Sequence, residues 1–241
     1  MKKFFLLLCC FMVLFSCSNS QDYKSFEEII VNNDLAALQK VAYSEDALLY
    51  KNPYGDNLLS IAIMENRPKL ARFLIQAGYD IDNENKEGMT PLMFASLFGC
   101  KNVVKDLLAK NCVISVQSKE GFSACEYAVG GNYNEIVQLL LEAGENPNKA
   151  ASDGLTMLMS SAATGKIAIM RTLLKNGAKI NQKDANGESA LIYAVRARQA
   201  KSVAFLVKQG ASIKLPNNED DNALTIARIV GDKKIISLLQ K

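Results

Sequence analysis

The sequence predicts an all-α fold: a solenoid of short helix–turn–helix units stacked in a row. Three observations predict it. Gly55, Gly88, Gly121, Gly154 and Gly187 recur at a spacing of 33, and the next step lands on Asp220. Nineteen residues after each of these positions stands a leucine without exception: Leu74, Leu107, Leu140, Leu173, Leu206 and Leu239. Two residues after each stands a side chain able to cap a helix: Asn57, Thr90, Ser123, Thr156, Ser189 and Asn222. A fixed period of this length is the mark of a repeat architecture, in which each unit buries its apolar face only against its neighbours.

Each column in the unit has a physical reason. The capping residue accepts a hydrogen bond from a free N–H of the first helical turn. In "GMTPLMFASLFGC", Thr90 caps and Pro91 fits the first turn, where its missing N–H costs nothing. Leu59, Leu92, Cys125, Leu158, Leu191 and Leu224, four after the glycine, share a helix face with Ala62, Ala95, Ala128, Ser161, Ala194 and Ala227, seven after it. The small residues let a neighbouring unit approach. A second helix carries apolar residues at the spacing of Ile136, Val137 and Leu140. It ends at Gly78, Asn111, Gly144, Gly177 or Gly210, residue types that enter the left-handed region readily. A loop follows, and the next anchor glycine sits in its turn.

The period, "GMTPLMFA" and "LLKNGAKINQKDANG" resemble ankyrin repeats. Gly88, Thr90, Pro91, Leu92 and Ala95 match the family's G-x-T-P-L-H-x-A; Gly177, Ala178, Ile180 and Asn181 match its G-A-x-V/I-N. The family's histidine is absent from every unit, where Ser60, Met93, Glu126, Met159, Ile192 and Thr225 stand instead. That implies looser or more apolar coupling between units. The resemblance covers residues 22–241 as about seven units with loop or β-hairpin tips: 22–54, 55–87, 88–120, 121–153, 154–186, 187–219 and 220–241. The first lacks the anchor glycine and the last stops after its second helix, so these two read as caps.

The N-terminus reads as an address. "MKKFFLLLCCFMVLFSCSNS" has two lysines, then an apolar run from Phe4 to Phe15, too short for the about 20 residues a spanning helix needs. Leu14-Phe15-Ser16-Cys17 resembles the lipobox of bacterial lipoproteins, with Phe15 departing from the usual small residue. The resemblance implies a signal peptide over 1–16 and a lipidated Cys17. Residues 17–21 then form the anchor and tether, at the start of the polar stretch "SNSQDYKS". Each buried methylene of an acyl chain contributes about 0.8 kcal/mol, so several chains hold a protein to a bilayer. An ordinary cleaved signal is the alternative. Either way the chain is expected to be exported, and the lipidated form to sit in a bacterial cell envelope, facing periplasm or surface.

Composition narrows the function classes. The chain is 49% hydrophobic and 22% charged, which suits a globular protein. Its net charge of +3 falls to +1 without Lys2 and Lys3, so no bulk charge favours nucleic acid. It has no histidine, the commonest general base and metal ligand. No catalytic residue, metal site, cofactor or small-molecule substrate is expected. Cys100, Cys112 and Cys125 remain after the signal, an odd number without metal-ligand spacing. Cys125 stands in a core leucine column and reads as an apolar filler rather than a nucleophile. Glu219-Asp220-Asp221 and Lys233-Lys234 read as solvated surface.

Function in such a scaffold lies in its surface. The family resemblance implies a monomer that binds another protein through the concave side, with contacts flanking the anchor glycine and nine or ten residues after it. These columns hold Tyr54, Asp56, Met64 and Glu65; Lys86, Glu87, Met89, Leu97 and Phe98; Lys119, Glu120 and Phe122; Asp153 and Leu155; and Asn186, Glu188 and Arg196. Met64, Met89, Leu97, Phe98, Phe122 and Leu155 would form an apolar stripe inside a charged rim of Lys86, Glu87, Lys119 and Glu120, the composition of an interface. The competing reading packs Leu97 and Phe98 between units. Gly130-Gly131 would leave room beside Phe98 for a partner side chain. A structural or protective envelope role, or an exported effector, without one defined partner is the alternative function.

Overall fold

The computed structural model describes residues 25–240. The expected signal peptide, Cys17 and most of the tether lie outside the described residues. Among the described residues every element is helical. The first helices of successive units are α1 (Phe26–Val31), α4 (Leu58–Met64), α6 (Pro91–Leu97), α8 (Ala124–Gly130), α10 (Met157–Ala163), α12 (Ala190–Arg196) and α14 (Ala223–Val230). The second helices are α2 (Leu35–Val41), α5 (Pro68–Gln76), α7 (Lys101–Ala109), α9 (Asn134–Glu142), α11 (Ile167–Lys175), α13 (Ala200–Lys208) and α15 (Lys233–Leu239). The expected β-hairpin tips reduce to two isolated bridges, Ala150 with Thr156 and Lys183 with Ser189. One helix has no counterpart in the repeat. α3 (Glu45–Leu49) fills the tip of the N-terminal unit, where Tyr50 donates to the Glu27 carboxylate at 2.6 Å and its ring meets Phe26 edge-on at 5.4 Å.

All six expected caps form. Asn57, Thr90, Ser123, Thr156, Ser189 and Asn222 each accept a backbone N–H three residues on. Each such cap contributes about 1 kcal/mol. The leucine column is buried throughout, and so is the small-residue column. Where the family carries histidine, Met93, Met159 and Ile192 are buried, so the coupling is apolar there. Ser60 is buried in the same column with no partner for its hydroxyl.

The anchor glycines hold φ between 70° and 85°, Asp220 takes 61° in the same place, and Asn111 takes 57° among the helix-ending glycines. A further left-handed column, absent from the sequence reading, joins the two helices of every unit: Asn33, Asn66, Gly99, Asn132, Gly165, Arg198 and Gly231. At Gly99 a Cβ would lie 2.5 Å from the Tyr133 ring of the next unit, so any larger residue there would have to turn that ring aside.

Neighbouring tips are tied by one backbone bond each. Lys86 N–H donates to Tyr54 O, Lys119 to Glu87, Ala185 to Asp153 and Asn218 to Asn186, at 2.9 to 3.0 Å. The equivalent bond from Ser152 to Glu120 is missing. The side chain three residues before the anchor differs there as well. Asn52, Asn85, Asp184 and Asn217 each use a side-chain oxygen to brace two N–H groups of their own tip, and Ser118 braces one. Asn85 also donates to Asp56 of the preceding tip at 2.8 Å. In the tip that follows Ser118 this column holds Ala151, which can do neither.

The glycines report the same gap. A Cβ on Gly154 would lie 2.8 Å from Ala185 N, whereas a Cβ on Gly121 meets nothing within 4 Å. The two share φ values of 84° and 85°, so alanine at either carries the same left-handed strain, about 1–2 kcal/mol. Gly154→Ala should therefore cost about 1 kcal/mol more than Gly121→Ala in urea denaturation. Equal losses would show that the tip contact at Gly154 gives way freely.

Candidate partner-binding site

The missing tie opens the stack between the unit at 121 and the unit at 154. α8 and α10 are the most loosely packed pair of neighbouring first helices among those at the anchor glycines, while α9 and α11 behind them stay in contact. Lys166 bridges the two units at the foot of α8, donating to Val129 O at 2.6 Å and Gly130 O at 2.9 Å. Between the separated tips lies a cleft of about 320 Å³. Its walls are mostly apolar: Leu97, Phe122, Val129, Ala151, Leu155 and Met157, with Gly130 and Gly131 making one wall flat.

Three of the expected contact residues, Leu97, Phe122 and Leu155, meet in this cleft. Leu97 and Leu155 are half-buried, and Phe122 is 40% exposed with its ring edge-on to Tyr127 at 5.8 Å. Tyr54, Met64 and Phe98 do not line it. Phe98 is exposed on the surface, so Gly130-Gly131 border Leu97 and not Phe98 as expected. Beside Gly131 the space is taken by the Tyr133 ring, which a Cβ would strike. Met89 is a correction. It is 8% exposed and its side chain packs in the core. Asp56 and Glu188 are also buried; Asp56 takes the amides of Asn52 and Asn85, and Glu188 pairs with Arg196 at 2.6 Å. The expected stripe is therefore not continuous. Lys86, Glu87, Lys119 and Glu120 are exposed on the tips, as the rim requires.

Glu126 supplies the cleft's charge. It stands where Met93, Met159 and Ile192 are buried apolar residues, and its carboxylate accepts the Ser123 N–H at 2.8 Å in a capping box. Tyr127 donates to Ser118 Oγ at 3.1 Å, and burial together with the charges of Glu120 and Glu126 pushes its hydroxyl pKa up. The arrangement can hold an apolar side chain and favour a cation beside it. It offers no activated nucleophile: Cys125 is buried and desolvation pushes its thiol far up, so it stays protonated. Cys100, Cys112 and Cys125 are all free thiols.

The residue that sequence reasoning missed is Ala151. The column Asn52, Asn85, Ser118, Ala151, Asp184 and Asn217 was readable at the 33-residue period, and its break marks the cleft.

An α-helical solenoid of stacked repeats with an open inter-unit cleft defines a protein–protein interaction module. The chain belongs to the ankyrin repeat family. The family model for ankyrin repeats (3 copies) matches residues 16–119, 103–184 and 123–217. The crystal structure of the ankyrin repeat domain of Bcl-3 superposes with a TM-score of 0.81 at 23% identity, covering 92% of this chain and 100% of that one, which establishes the fold. An ankyrin repeat protein of fowlpox virus (strain NVSL) is 33% identical over 106 residues, 43% of this chain and 31% of that protein. An ankyrin repeat-containing protein of Treponema pallidum (strain Nichols) is 30% identical over 132 residues, 52% of this chain and 44% of that protein. The chain spans less than half the length of these two relatives.

One buried charge lies beneath the site. Glu145 is 6% exposed in a column that elsewhere holds Tyr79, Cys112, Ala178 and Ala211; its Oε2 has no partner, and Lys149 approaches its other oxygen only to 3.9 Å. Burial, with the charge of Glu126, raises the Glu145 pKa above its ordinary value against the opposing pull of Lys149 and Ser123. A raised carboxyl pKa favours the protonated form in the folded state. Its destabilising effect is absent below the unfolded pKa of about 4.3, grows as pH rises through it, and is complete above the folded pKa. Glu145→Ala should therefore stabilise the protein by about 1 kcal/mol at neutral pH. The gain should vanish below the ordinary glutamate pKa when urea midpoints are compared across pH. A constant gain at every pH would place its origin in packing.

Proposed function

We propose that this chain is a membrane-tethered adaptor of a bacterial envelope that binds a partner protein through the tip side of its repeats, centred on the cleft between the units at 121 and 154. The observation that carries this is the cleft itself: Leu97, Phe122 and Leu155 converge where the tip ladder is broken, inside a rim of exposed charges. Apolar anchors within a polar rim are what binding surfaces use. The N-terminal sequence supports the tether, with acyl chains on Cys17 holding a monomer to the membrane. Among the described residues no helix is long and apolar enough to cross a membrane. The Treponema pallidum relative supports the bacterial setting.

Two experiments test the reading. Crosslinking and capture from intact cells should yield one dominant protein with the native chain. Phe122→Glu should lose it, and Ile229→Glu, at an exposed site on α14 far along the stack, should keep it. Diffuse capture that is equal in all three would favour an envelope role without a defined partner. For the tether, cells fed labelled palmitate should label the native protein and not Cys17→Ser, and the variant should leave the membrane fraction. Persistent membrane association of Cys17→Ser would exclude the lipid anchor.

A further inference from the structure

We propose that the cleft is a slot for an extended segment of the partner, with an aliphatic side chain seated between the tips and basic side chains flanking it. This deepens the binding function proposed above and rests on it. Four observations point to this occupant. First, the Glu120 carbonyl and the Ser152 N–H belong to exposed residues and are not joined, although their counterparts pair with each other at the neighbouring junctions. A strand laid between the tips can take up both, as edge pairing does elsewhere. Second, the space of about 320 Å³ lies at the low end of ligand pockets, which run to about 1,000 Å³. It suits one large side chain with its own backbone.

Third, the walls select the side chain. Leu97, Val129, Leu155 and Met157 are aliphatic, and Gly130 leaves one wall open, since a Cβ there meets nothing within 4 Å. Fourth, the charge at the mouth is acidic. Glu126 lines the cleft and Glu120 sits on the tip close enough to raise the Tyr127 hydroxyl. The lysine nearest the foot of α8, Lys166, is already bound to Val129 O and Gly130 O. Lys119, exposed on the tip beside Glu120, offsets that outer charge, so the preference for a basic partner rests on Glu126 within the wall. A carboxylate in an apolar, partly dehydrated wall interacts more strongly with a cation than one in open water.

The test uses the full chain and three blocked, fluorescently labelled heptapeptides, glycine- and serine-padded, with the centres arginine–leucine–arginine, glutamate–leucine–glutamate and arginine–serine–arginine. Fluorescence anisotropy should show the first binding at least tenfold more tightly than either of the others. Gly130→Phe places a ring in the open wall without moving the backbone, and should weaken the first peptide at least tenfold while circular dichroism stays unchanged. Glu126→Gln keeps an acceptor for the Ser123 N–H and so keeps the cap. It should shrink the preference for arginine over glutamate flanks and leave the preference for leucine over serine. Three results would overturn the slot: no binding of the first peptide at millimolar concentration, equal binding of all three, or unchanged binding by folded Gly130→Phe. If those occur while Phe122→Glu still loses the captured partner, the tip surface binds by another mode and the adaptor reading stands.

Discussion

Every element here depends on burial against its neighbour. The described helices run from five to nine residues, below the roughly 12–15 at which an isolated helix holds in water. No unit can close its own core. Leu74, Leu107, Leu140, Leu173 and Leu206 are fully buried because each lies beneath the next unit as well as its own. The small column beside them permits that approach. Stability in such a stack is a sum over junctions, so one altered junction changes one place and leaves the rest standing.

The junction between the units at 121 and 154 is altered in several ways at once. Ala151 cannot brace its tip, Glu126 replaces an apolar contact residue, and Glu145 puts a poorly paired carboxylate where alanine would serve. At this junction the contact between α8 and α10 is sparse, while the contact between α9 and α11 persists. The stack therefore opens on the tip side and stays closed behind. A gap held open by the scaffold is already shaped for a ligand, which keeps the ordering cost of binding low.

The fold was legible because the physical requirements of the unit recur. A cap, a buried leucine, a small residue and a left-handed turn each leave a column, and six copies make each column visible. The site was legible only in part. Leu97, Phe122 and Leu155 could be placed by analogy, but Met89 occupies the same kind of column and is buried. Phe122, braced through its N–H in the same way, stays exposed, so the difference lies in side-chain packing that no hydrophobicity pattern records. α3 was hidden for the opposite reason. It occurs once, so no period exposes it, and it is held by buried Ala47 and by Tyr50, which meets both Glu27 and Phe26.

Departures from a repeat carry more functional information than its agreements. Agreements are enforced by packing, and any chain of this fold must satisfy them. Ala151 makes no side-chain tie of the kind asparagine or aspartate makes at other tips, and Glu126 closes its own capping box where methionine or isoleucine is buried in other units. Glu145 points the same way, since its removal is expected to stabilise the fold. Three departures within a single unit, all close to one opening, are difficult to assign to chance variation spread evenly along the array. They are what results when one junction is kept weaker than its neighbours so that another chain can enter it.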